Sequence, residues 1–303
     1  MSAGQGRYVP LLFLMTLLFG GSFVATKIAL EGLGVFQVVL GRYALAFLVI
    51  LAVFWRKRHY FFIPREDWKH FLLLTAIEPI GYFIFETYGV RLTSPSNVAL
   101  IIATIPGFAV IFAVFLLNER PTRKTLAGIA LSFVGVYVIV QAQQTTALAP
   151  HPLLGSLFTL GAAMCAGLYN SLARRLTRRY HPITLTFYQS LVATFFFFPL
   201  ALGELWLGGE PVLNQRVLIS LLYLSLGSSV LGYFLLNYGL SRLGASRVAI
   251  FSNFIPVVTI FVSYLIFGDM LRRVQFVGTG LILIGIYLTY RYTLVPDEPR
   301  SAR

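Results

Sequence analysis

Charged residues are scarce in this chain. Only 12% of its 303 residues are Asp, Glu, Lys or Arg, whereas a soluble domain carries about 25%. Hydrophobic residues make up 57%, so 11 acids and 24 bases cannot cover the surface of a soluble fold this size. The composition therefore predicts that lipid surrounds most of the chain.

Residues that could support thiol or metal chemistry are also few. The one cysteine, Cys165, lies in an apolar run and can form neither an internal disulfide nor a multi-cysteine metal site. The four histidines show no HExxH spacing, and no GxxxxGK[ST] phosphate loop is present. We therefore expect no metal, no cofactor, no catalytic residues and no ATP-driven pumping.

Long apolar runs fill the sequence instead. A helix needs about 20 apolar residues to cross the hydrocarbon core, and these runs lack the alternation of a membrane barrel. The first run follows a single base, Arg7, without a small-residue cleavage site, so we interpret it as a retained helix. We predict an all-α integral membrane protein with ten transmembrane helices, at about 8–30, 35–55, 70–90, 95–117, 124–142, 152–173, 182–203, 216–240, 245–267 and 273–292.

The basic residues predict how these helices face. With the N-terminus inside, 18 bases fall on cytoplasmic segments, five fall on external ones, and Arg42 lies within a span. This bias follows the positive-inside rule and explains the net charge of +13 without a nucleic-acid partner. We expect a plasma (inner) membrane protein with both termini in the cytoplasm.

The chain repeats itself at an offset of 150 residues. The stretches 89–107 and 239–257 agree without a gap at six positions, among them Gly89 with Gly239 and Pro106 with Pro256. Further matches at the same offset are Tyr88 with Tyr238, Glu119 with Asp269, Gly128 with Gly278, Gly135 with Gly285, and Tyr137 with Tyr287. Near the start of each half the offset is 147, which pairs Gly20 with Gly167 and Lys27 with Arg174.

Each repeat holds five predicted helices, so the second copy enters the membrane from the opposite side. We predict repeats at 8–142 and 152–292, followed by a cytoplasmic tail at 293–303. Inverted repeats are typical of secondary transporters, in which two similar halves open a shared site to alternate sides. The alternative is that the duplication is only a relic of ancestry.

Both halves resemble the EamA domain of the drug/metabolite transporter superfamily. The resemblance rests on "LLFGGSFVATK" from Leu17, "GRYALAF" around Arg42, the long segment from Ser94 to Val140, and its counterpart from Gly244 to Leu288. It implies a ten-helix carrier with a central cavity, whose family substrates include amino acids and other small metabolites, often exported. The chain departs from the family pattern at Phe19-Gly20, where tryptophan-glycine is usual, and in carrying two acids in span three.

Those two acids are the main candidates for binding or coupling. Glu78, Tyr82 and Glu86 are spaced i, i+4, i+8, which places them on one helix face with carboxyls about 12 Å apart along the axis. Acids inside a span are costly and usually mark transport pathways. We expect the stripe to line the cavity, with Glu78 binding a proton or a substrate amine; the alternative is burial against a structural partner. Pro79 removes a helical hydrogen bond beside Glu78 and should bend the helix.

Arg42 is the basic candidate. It either pairs with Glu86, which lies toward the same side, or binds a substrate carboxylate. The repeat carries Gln189 at this position. Further candidate lining residues are small or polar groups within the spans: Ser22, Tyr169, Asn170, Asn237, Ser252 and Asn253.

The prolines at 106 and 256 lie symmetrically in spans four and nine, and we assign them, together with Pro79, to the conformational switch. Glu119 and Asp269 end the same two spans, where we expect a capping or interfacial role. The predicted function is secondary transport, most often export, of a small metabolite such as an amino acid, with the lipid bilayer and protons as further partners. The alternatives are a membrane-embedded enzyme, a channel, or an importer of another organic solute.

Overall fold

The computed structural model describes residues 9–117, 121–243, 248 and 251–293, and this part of the chain is almost entirely helical. Its α-helices are α1 (Val9–Ala29), α2 (Val35–Phe54), α3 (Trp68–Thr75), α4 (Tyr82–Leu92), α5 (Pro95–Ile102), α6 (Ile105–Leu117), α7 (Arg123–Ala142), α8 (Pro152–Arg179), α9 (Pro182–Trp206), α10 (Gln215–Leu222), α11 (Tyr233–Leu243), α12 (Ile255–Phe267) and α13 (Arg273–Thr293). Short 3₁₀ helices cover Trp55–Phe61 and Arg65–Asp67.

Among the described residues, eight helical segments are long and apolar enough to cross a membrane. They are Val9–Ala29, Val35–Lys57, Arg65–Leu92, Pro95–Leu116, Arg123–Ala142, Pro152–Ala173, Pro182–Trp206 and Gln215–Arg242. Two shorter apolar helices follow, Ile255–Phe267 and Arg273–Thr289. The predicted span 245–267 begins at residues that the structure does not describe. Glu119 also lies outside the described residues. Large apolar side chains such as Phe115 and Phe195 point outward, 77% and 70% exposed, which suits a surface in contact with lipid.

Two of the spans contain π-helical turns at positions related by the repeat. Ala76–Gly81 joins α3 to α4, and Tyr223–Gly232 joins α10 to α11. In the first, Glu78 has an extended backbone (φ −142°, ψ 113°) because the following Pro79 disfavours the helical region for the residue before it. The regular helix that the sequence pattern assumed for span three is therefore wrong at Glu78.

Spans four and nine are broken just before their prolines. Turns at residues 103–104 and 253–254 separate two helical pieces in each span, and each proline is the second residue of the following helix. Proline fits there because the first turn of a helix needs no internal hydrogen-bond donor. Pro106 and Pro256 thus begin new helices rather than kinking continuous ones.

Helices α7 and α13 pack against each other through glycines. A Cβ atom on Gly128 would lie 2.6 Å from the carbonyl oxygen of Gly285, and one on Gly135 would lie 2.6 Å from that of Gly278. The lower number on one helix meets the higher number on the other, so the two helices run antiparallel. Small residues at such contacts let two backbones approach closely.

Helices α2 and α9 pack mainly on each other, and the other remaining helices form two groups that interlace the halves of the sequence. Helix α1 packs on α12 and on the segment from α10 to α11, whereas α8 packs on α4, α5 and α6. The contacts match across the repeat: a Cβ on Gly20 would meet the Val258 side chain at 2.5 Å, and one on Gly167 would meet that of Phe108 at 2.6 Å. We call these the first group (α1, α10 to α11, α12) and the second group (α8, α3 to α4, α5 to α6). Each group therefore contains helices from both predicted repeats.

The chain connections gather at two ends of the bundle. At one, called the Lys27 end, the Val212 N–H donates to the carbonyl of Gly32 and the His151 N–H donates to that of Leu92. At the other, the Arg179 end, Asp67 accepts hydrogen bonds from Arg179 and from the hydroxyl of Tyr180. Partial burial, together with the hydrogen bond to Asp67, raises the pKa of Tyr180 to about 12, so this phenol stays protonated at neutral pH.

Candidate functional site

A cavity of about 250 Å³ lies between the two groups and receives polar side chains from both. It lies inside the bundle, where polar side chains can meet a solute away from lipid. The predicted candidates that line it are Ser22, Arg42, Glu78, Tyr82, Glu86, Pro106, Asn170, Ser252, Asn253 and Pro256. Three predicted residues, Pro79, Tyr169 and Asn237, are not among the lining residues.

Glu78 lies at the break in span three and is only 5% exposed. Its carboxylate accepts a hydrogen bond of 2.5 Å from the hydroxyl of Tyr233, the first residue of α11. Because Tyr233 belongs to the first group and Glu78 to the second, this contact crosses the cavity. The sequence pattern did not single out Tyr233, since nothing in the local sequence indicates which residue of the other half faces Glu78.

Glu86 lies in α4, eight positions along the chain from Glu78, and is 1% exposed. Its carboxylate accepts a hydrogen bond from the neighbouring Thr87 hydroxyl at 3.0 Å. Tyr82 lies between the two acids in sequence and also borders the cavity. The two acids therefore share one cavity, even though the break at Glu78 removes the regular helix that the spacing assumed.

Arg42 projects from α2 into the same cavity and is 2% exposed. Its Nε donates to Ser229 Oγ and its Nη2 donates to Ser228 Oγ, both at 3.0 Å. The guanidinium also lies over the ring of Phe83, 4.3 Å from the centroid, a favourable cation–π position. Two hydroxyls and an aromatic face thus fix the orientation of the positive charge.

Arg42 and Glu86 do not form a direct ion pair in the structure. Within the described residues the ion pairs closer than 4.0 Å are Arg179–Asp67 and Arg216–Glu31. The physical reason is that Ser228 and Ser229 direct the guanidinium by accepting from two of its five N–H groups, while Glu86 accepts locally from Thr87. The cavity therefore holds one cation and two carboxyl groups that are hydrogen-bonded only to hydroxyls among the described residues, which leaves their charges available to a solute.

Tyr169 and Asn237 are fully buried in a hydrogen-bonded cluster beside the cavity. The Tyr169 hydroxyl donates to Asn237 Oδ1 at 3.1 Å and accepts from Gln189 Nε2 at 3.2 Å. The amide of Asn237 donates to Thr186 Oγ1 at 3.3 Å. These bonds leave only Gln189 Oε1 of the cluster without a hydrogen-bond partner, and neither Tyr169 nor Asn237 lines the cavity.

The repeat explains this difference between the halves. At offsets of 147 and 150 residues, Tyr169, Gln189 and Asn237 correspond to Ser22, Arg42 and Thr87. In the second half the three positions bond to each other, whereas in the first half Arg42 and Ser22 line the cavity. The two halves therefore have equivalent polar clusters. The cluster around Arg42 borders the cavity, and the cluster around Gln189 is hydrogen-bonded internally.

The sequence pattern also missed the apolar wall of the cavity. Aromatic and aliphatic side chains from both groups line it, including Phe19, Phe23, Phe83, Leu236 and Ile255. Their type gives no signal, because aromatic residues are equally suited to facing lipid. Ser228 carried one available signal: it is the repeat counterpart of Glu78.

The cavity extends toward the Arg179 end and is closed toward the Lys27 end. Four lining residues, from α6, α8, α11 and the stretch before α12, have repeat counterparts that lie on the Lys27 side and do not line the cavity. The lining residues are Ala113, Ser171, Leu240 and Val248, and their counterparts are Ser263, Val24, Val90 and Val98. All four counterparts are 1% exposed or less, and Val248 is itself only 2% exposed, so the difference between the two ends lies in which residues border the cavity.

An apolar-coated helical bundle around a cavity with fixed charges is the construction of a membrane transport protein. The chain belongs to the EamA-like transporter family, whose sequence profile matches residues 6–141 and again residues 153–291. The family lies within the drug/metabolite transporter superfamily, which confirms the resemblance seen in the sequence.

Relatives match along nearly the whole chain. An uncharacterized transporter of Bacillus subtilis is 29% identical over 90% of this chain and 89% of its own. A probable amino-acid metabolite efflux pump of Escherichia coli is 27% identical, covering 92% and 93%. A probable terminal-alkyne amino-acid exporter of Streptantibioticus cattleyicolor is 26% identical, covering 93% of each. A solved crystal structure shares the fold, with a TM-score of 0.63 and 18% identity over 93% of this chain and 96% of that one.

Proposed function

We propose that this protein is a secondary exporter of a small amino-acid-like metabolite. The observation that carries the proposal is the composition of the cavity: one fixed guanidinium, two buried carboxyl groups and an apolar wall, all facing one space. A solute with a carboxylate, an amine and an apolar side chain fits each of these surfaces. The names of two relatives, an amino-acid metabolite efflux pump and an amino-acid exporter, support the same substrate class.

In this proposal Arg42 binds the carboxylate of the solute. Arginine suits that task because its planar guanidinium can donate two parallel hydrogen bonds to one carboxylate. Ser228 and Ser229 accept hydrogen bonds from the Arg42 guanidinium, and the ring of Phe83 covers one of its faces. The bound group therefore meets a charge whose orientation is already set.

The amine of the solute, or a proton in its absence, binds at Glu78 or Glu86. Burial of a lone carboxylate is costly, so each acid favours either a bound cation or its protonated form. Glu78 is the better placed of the two for a coupled role, because its hydrogen bond to Tyr233 joins the two groups across the cavity. A change in its protonation would alter a contact that relative movement of the groups must break.

We further infer ten transmembrane helices arranged as two inverted repeats, at 8–142 and 152–292, in the plasma (inner) membrane with both termini cytoplasmic. Support comes from the antiparallel contact of α7 with α13, and from the family profile, which matches the chain twice. The excess of basic residues on one side of the predicted topology sets the orientation. Pro106 and Pro256, each the second residue of the helix that follows the break in its span, are the proposed pivots of the switch.

Counterflow in proteoliposomes tests the function. Proteoliposomes that contain the purified protein are preloaded with an unlabelled amino acid, organic acid or amine. We expect them to accumulate the labelled form of the same compound only when that compound carries both a carboxylate and an amine. Saturable exchange supports a carrier, whereas flux without saturation or exchange would assign a channel instead. Uptake of compounds that lack a carboxylate would contradict the proposed role of Arg42 in binding the carboxylate of the solute.

Glu78→Gln separates proton coupling from substrate binding. We expect this variant to lose transport driven by a pH gradient while it retains counterflow. Glu31→Gln, which changes a half-exposed acid at the Lys27 end, is the matched control and should keep both activities. Equal loss of both activities in Glu78→Gln would show that this residue binds the solute.

A further inference from the structure

Two side chains of opposite charge hold the turn between α4 and α5 at the Lys27 end. Lys27, in α1, donates from Nζ to the carbonyl oxygens of Val90, Arg91 and Thr93 at 2.7, 3.1 and 3.1 Å. These carbonyls belong to the C-terminal turn of α4, where the last four acceptors of a helix have no partner within it. A cation there also meets the negative end of the helix dipole.

Asp269 approaches the other side of the same turn. Its Oδ2 accepts from the backbone N–H of Ser96, the second residue of α5, at 3.4 Å, and from the hydroxyl of Ser263 at 2.9 Å. Gln275 adds a neutral contact beside it, donating from Nε2 to Asn97 Oδ1 at 2.7 Å. An acid at a helix N-terminus satisfies free amides and the positive end of the dipole.

Both charges cross from one helix group to the other. Lys27 lies in α1 and Asp269 follows α12 by two residues, so both extend from the first group, whereas the turn joins α4 and α5 of the second group. They act at the end where the repeat counterparts of the lining residues are buried. In sequence, the repeat carries the same signs of charge at the equivalent positions Arg174 and Glu119.

We propose that Lys27 and Asp269 form a gate that closes the cavity at the Lys27 end by capping both helix termini of one turn. Opening at this end requires the first group to withdraw both charges from the α4–α5 turn. The proposal concerns access to the cavity, so it holds for any solute and is separable from the substrate class proposed above.

The test is the accessibility of a cavity residue from each side of the membrane. Ser22→Cys in a Cys165→Ser background places one thiol in the cavity, and a membrane-impermeant maleimide is applied to right-side-out or inside-out vesicles. In the parent, we expect labelling mainly from the Arg179 end. Lys27→Gln and Asp269→Asn should each raise labelling from the Lys27 end, by about two- to fivefold for the loss of one charge at a helix terminus.

Two controls make the result specific. Arg216→Gln removes an ion pair with Glu31, 3.9 Å long, at the same end but within the first group, so it should leave labelling unchanged. Lys27→Arg keeps the charge and should label like the parent. Thermal denaturation of each purified variant confirms that the fold is retained. Unchanged labelling in both Lys27→Gln and Asp269→Asn, or an equal increase in Arg216→Gln, would overturn the gate.

Discussion

The side chain of Arg42 illustrates how a repeated architecture produces a single site. Its repeat counterpart, Gln189, bonds to Tyr169 within its own half, whereas Arg42 reaches the serines at 228 and 229 in the other half. An amide can be satisfied by a neighbouring hydroxyl, but a guanidinium needs several acceptors and, when buried, an anion. The charged residue, Arg42, therefore faces the cavity, and its neutral counterpart, Gln189, is buried away from it.

Arg42→Lys should cut amino-acid counterflow although it preserves the charge. Lysine cannot donate to both serines while stacking on Phe83, so the positive charge loses its fixed direction. The loss of one hydrogen bond to a charged group, about 1.5–3 kcal/mol, corresponds to a roughly 10- to 100-fold fall in transport. Arg216→Lys, at an exposed position, is the control, and full activity in Arg42→Lys would argue against a bidentate carboxylate site.

Tyr169→Phe should reduce stability rather than substrate affinity. Removing the hydroxyl leaves Asn237 Oδ1 without its donor and Gln189 Nε2 without its acceptor in a fully buried cluster. We expect a cost of about 1–3 kcal/mol, measured as a lower midpoint of thermal denaturation in detergent, with an unchanged KM for counterflow. A raised KM at normal stability would instead place Tyr169 in contact with the solute.

At this scale the sequence predicted which residues are polar and internal, but it did not predict their partners. Ten of the thirteen candidates line the cavity, since a charged or polar residue inside a span has few other places to go. The partners of Glu78 and Arg42 lie 155 and 187 positions away. Such contacts depend on how the two halves interlace, which local sequence does not encode.

At the scale of elements, the spans were predictable and their interruptions were not. Apolar length alone places α1, α2, α7 and α9 within a few residues of their bounds. The π-helical turns at Ala76–Gly81 and Tyr223–Gly232 leave no apolar signature, because a widened turn keeps the same hydrophobic composition. Such turns often occur at functional sites, and the first one carries Glu78.

The glycines of α7 and α13 should be intolerant of even one added methyl group. In Gly135→Ala the new Cβ would lie 2.6 Å from a backbone oxygen and 2.8 Å from the Ile282 side chain, so the helices must separate. We expect a loss of about 1–3 kcal/mol in thermal stability.

Gly280→Ala provides the matched control for that loss. Gly280 lies on α13, only two residues from Gly278, yet a Cβ there would meet nothing within 4 Å. Alanine has the higher helix propensity, so this variant should be unchanged or up to about 1 kcal/mol more stable. Equal destabilisation by both substitutions would mean that the α7–α13 contact does not depend on close backbone approach.

At the scale of the whole molecule, the helices of the two halves are interlaced, so movement cannot separate one half from the other. The first group contains α1 from the first half with α10 to α12 from the second, and the second group has the reverse arrangement. Each half therefore contributes to both sides of the cavity. A relative rotation of the groups would open one end as it closes the other.

The proposed inverted arrangement predicts opposite sidedness for equivalent residues. Arg123 and Arg273 begin α7 and α13, are both exposed, and are 150 residues apart. In a Cys165→Ser background, Arg123→Cys should react with an impermeant maleimide from the cytoplasmic side and Arg273→Cys from the external side. Reaction of both from the same side would contradict the inverted repeat.

The contact between α7 and α13 has a consequence for the origin of the chain. Gly128 meets Gly285 and Gly135 meets Gly278, so each helix presents equivalent positions to its counterpart. Two copies of a five-helix ancestor, inserted in opposite directions, would have met at this surface as well as through the contacts of α1 with α12 and of α8 with α6. Fusion of two gene copies would then have held the two copies together. Each copy would no longer have had to function in both orientations, so a charge could evolve at residue 42 without appearing at residue 189.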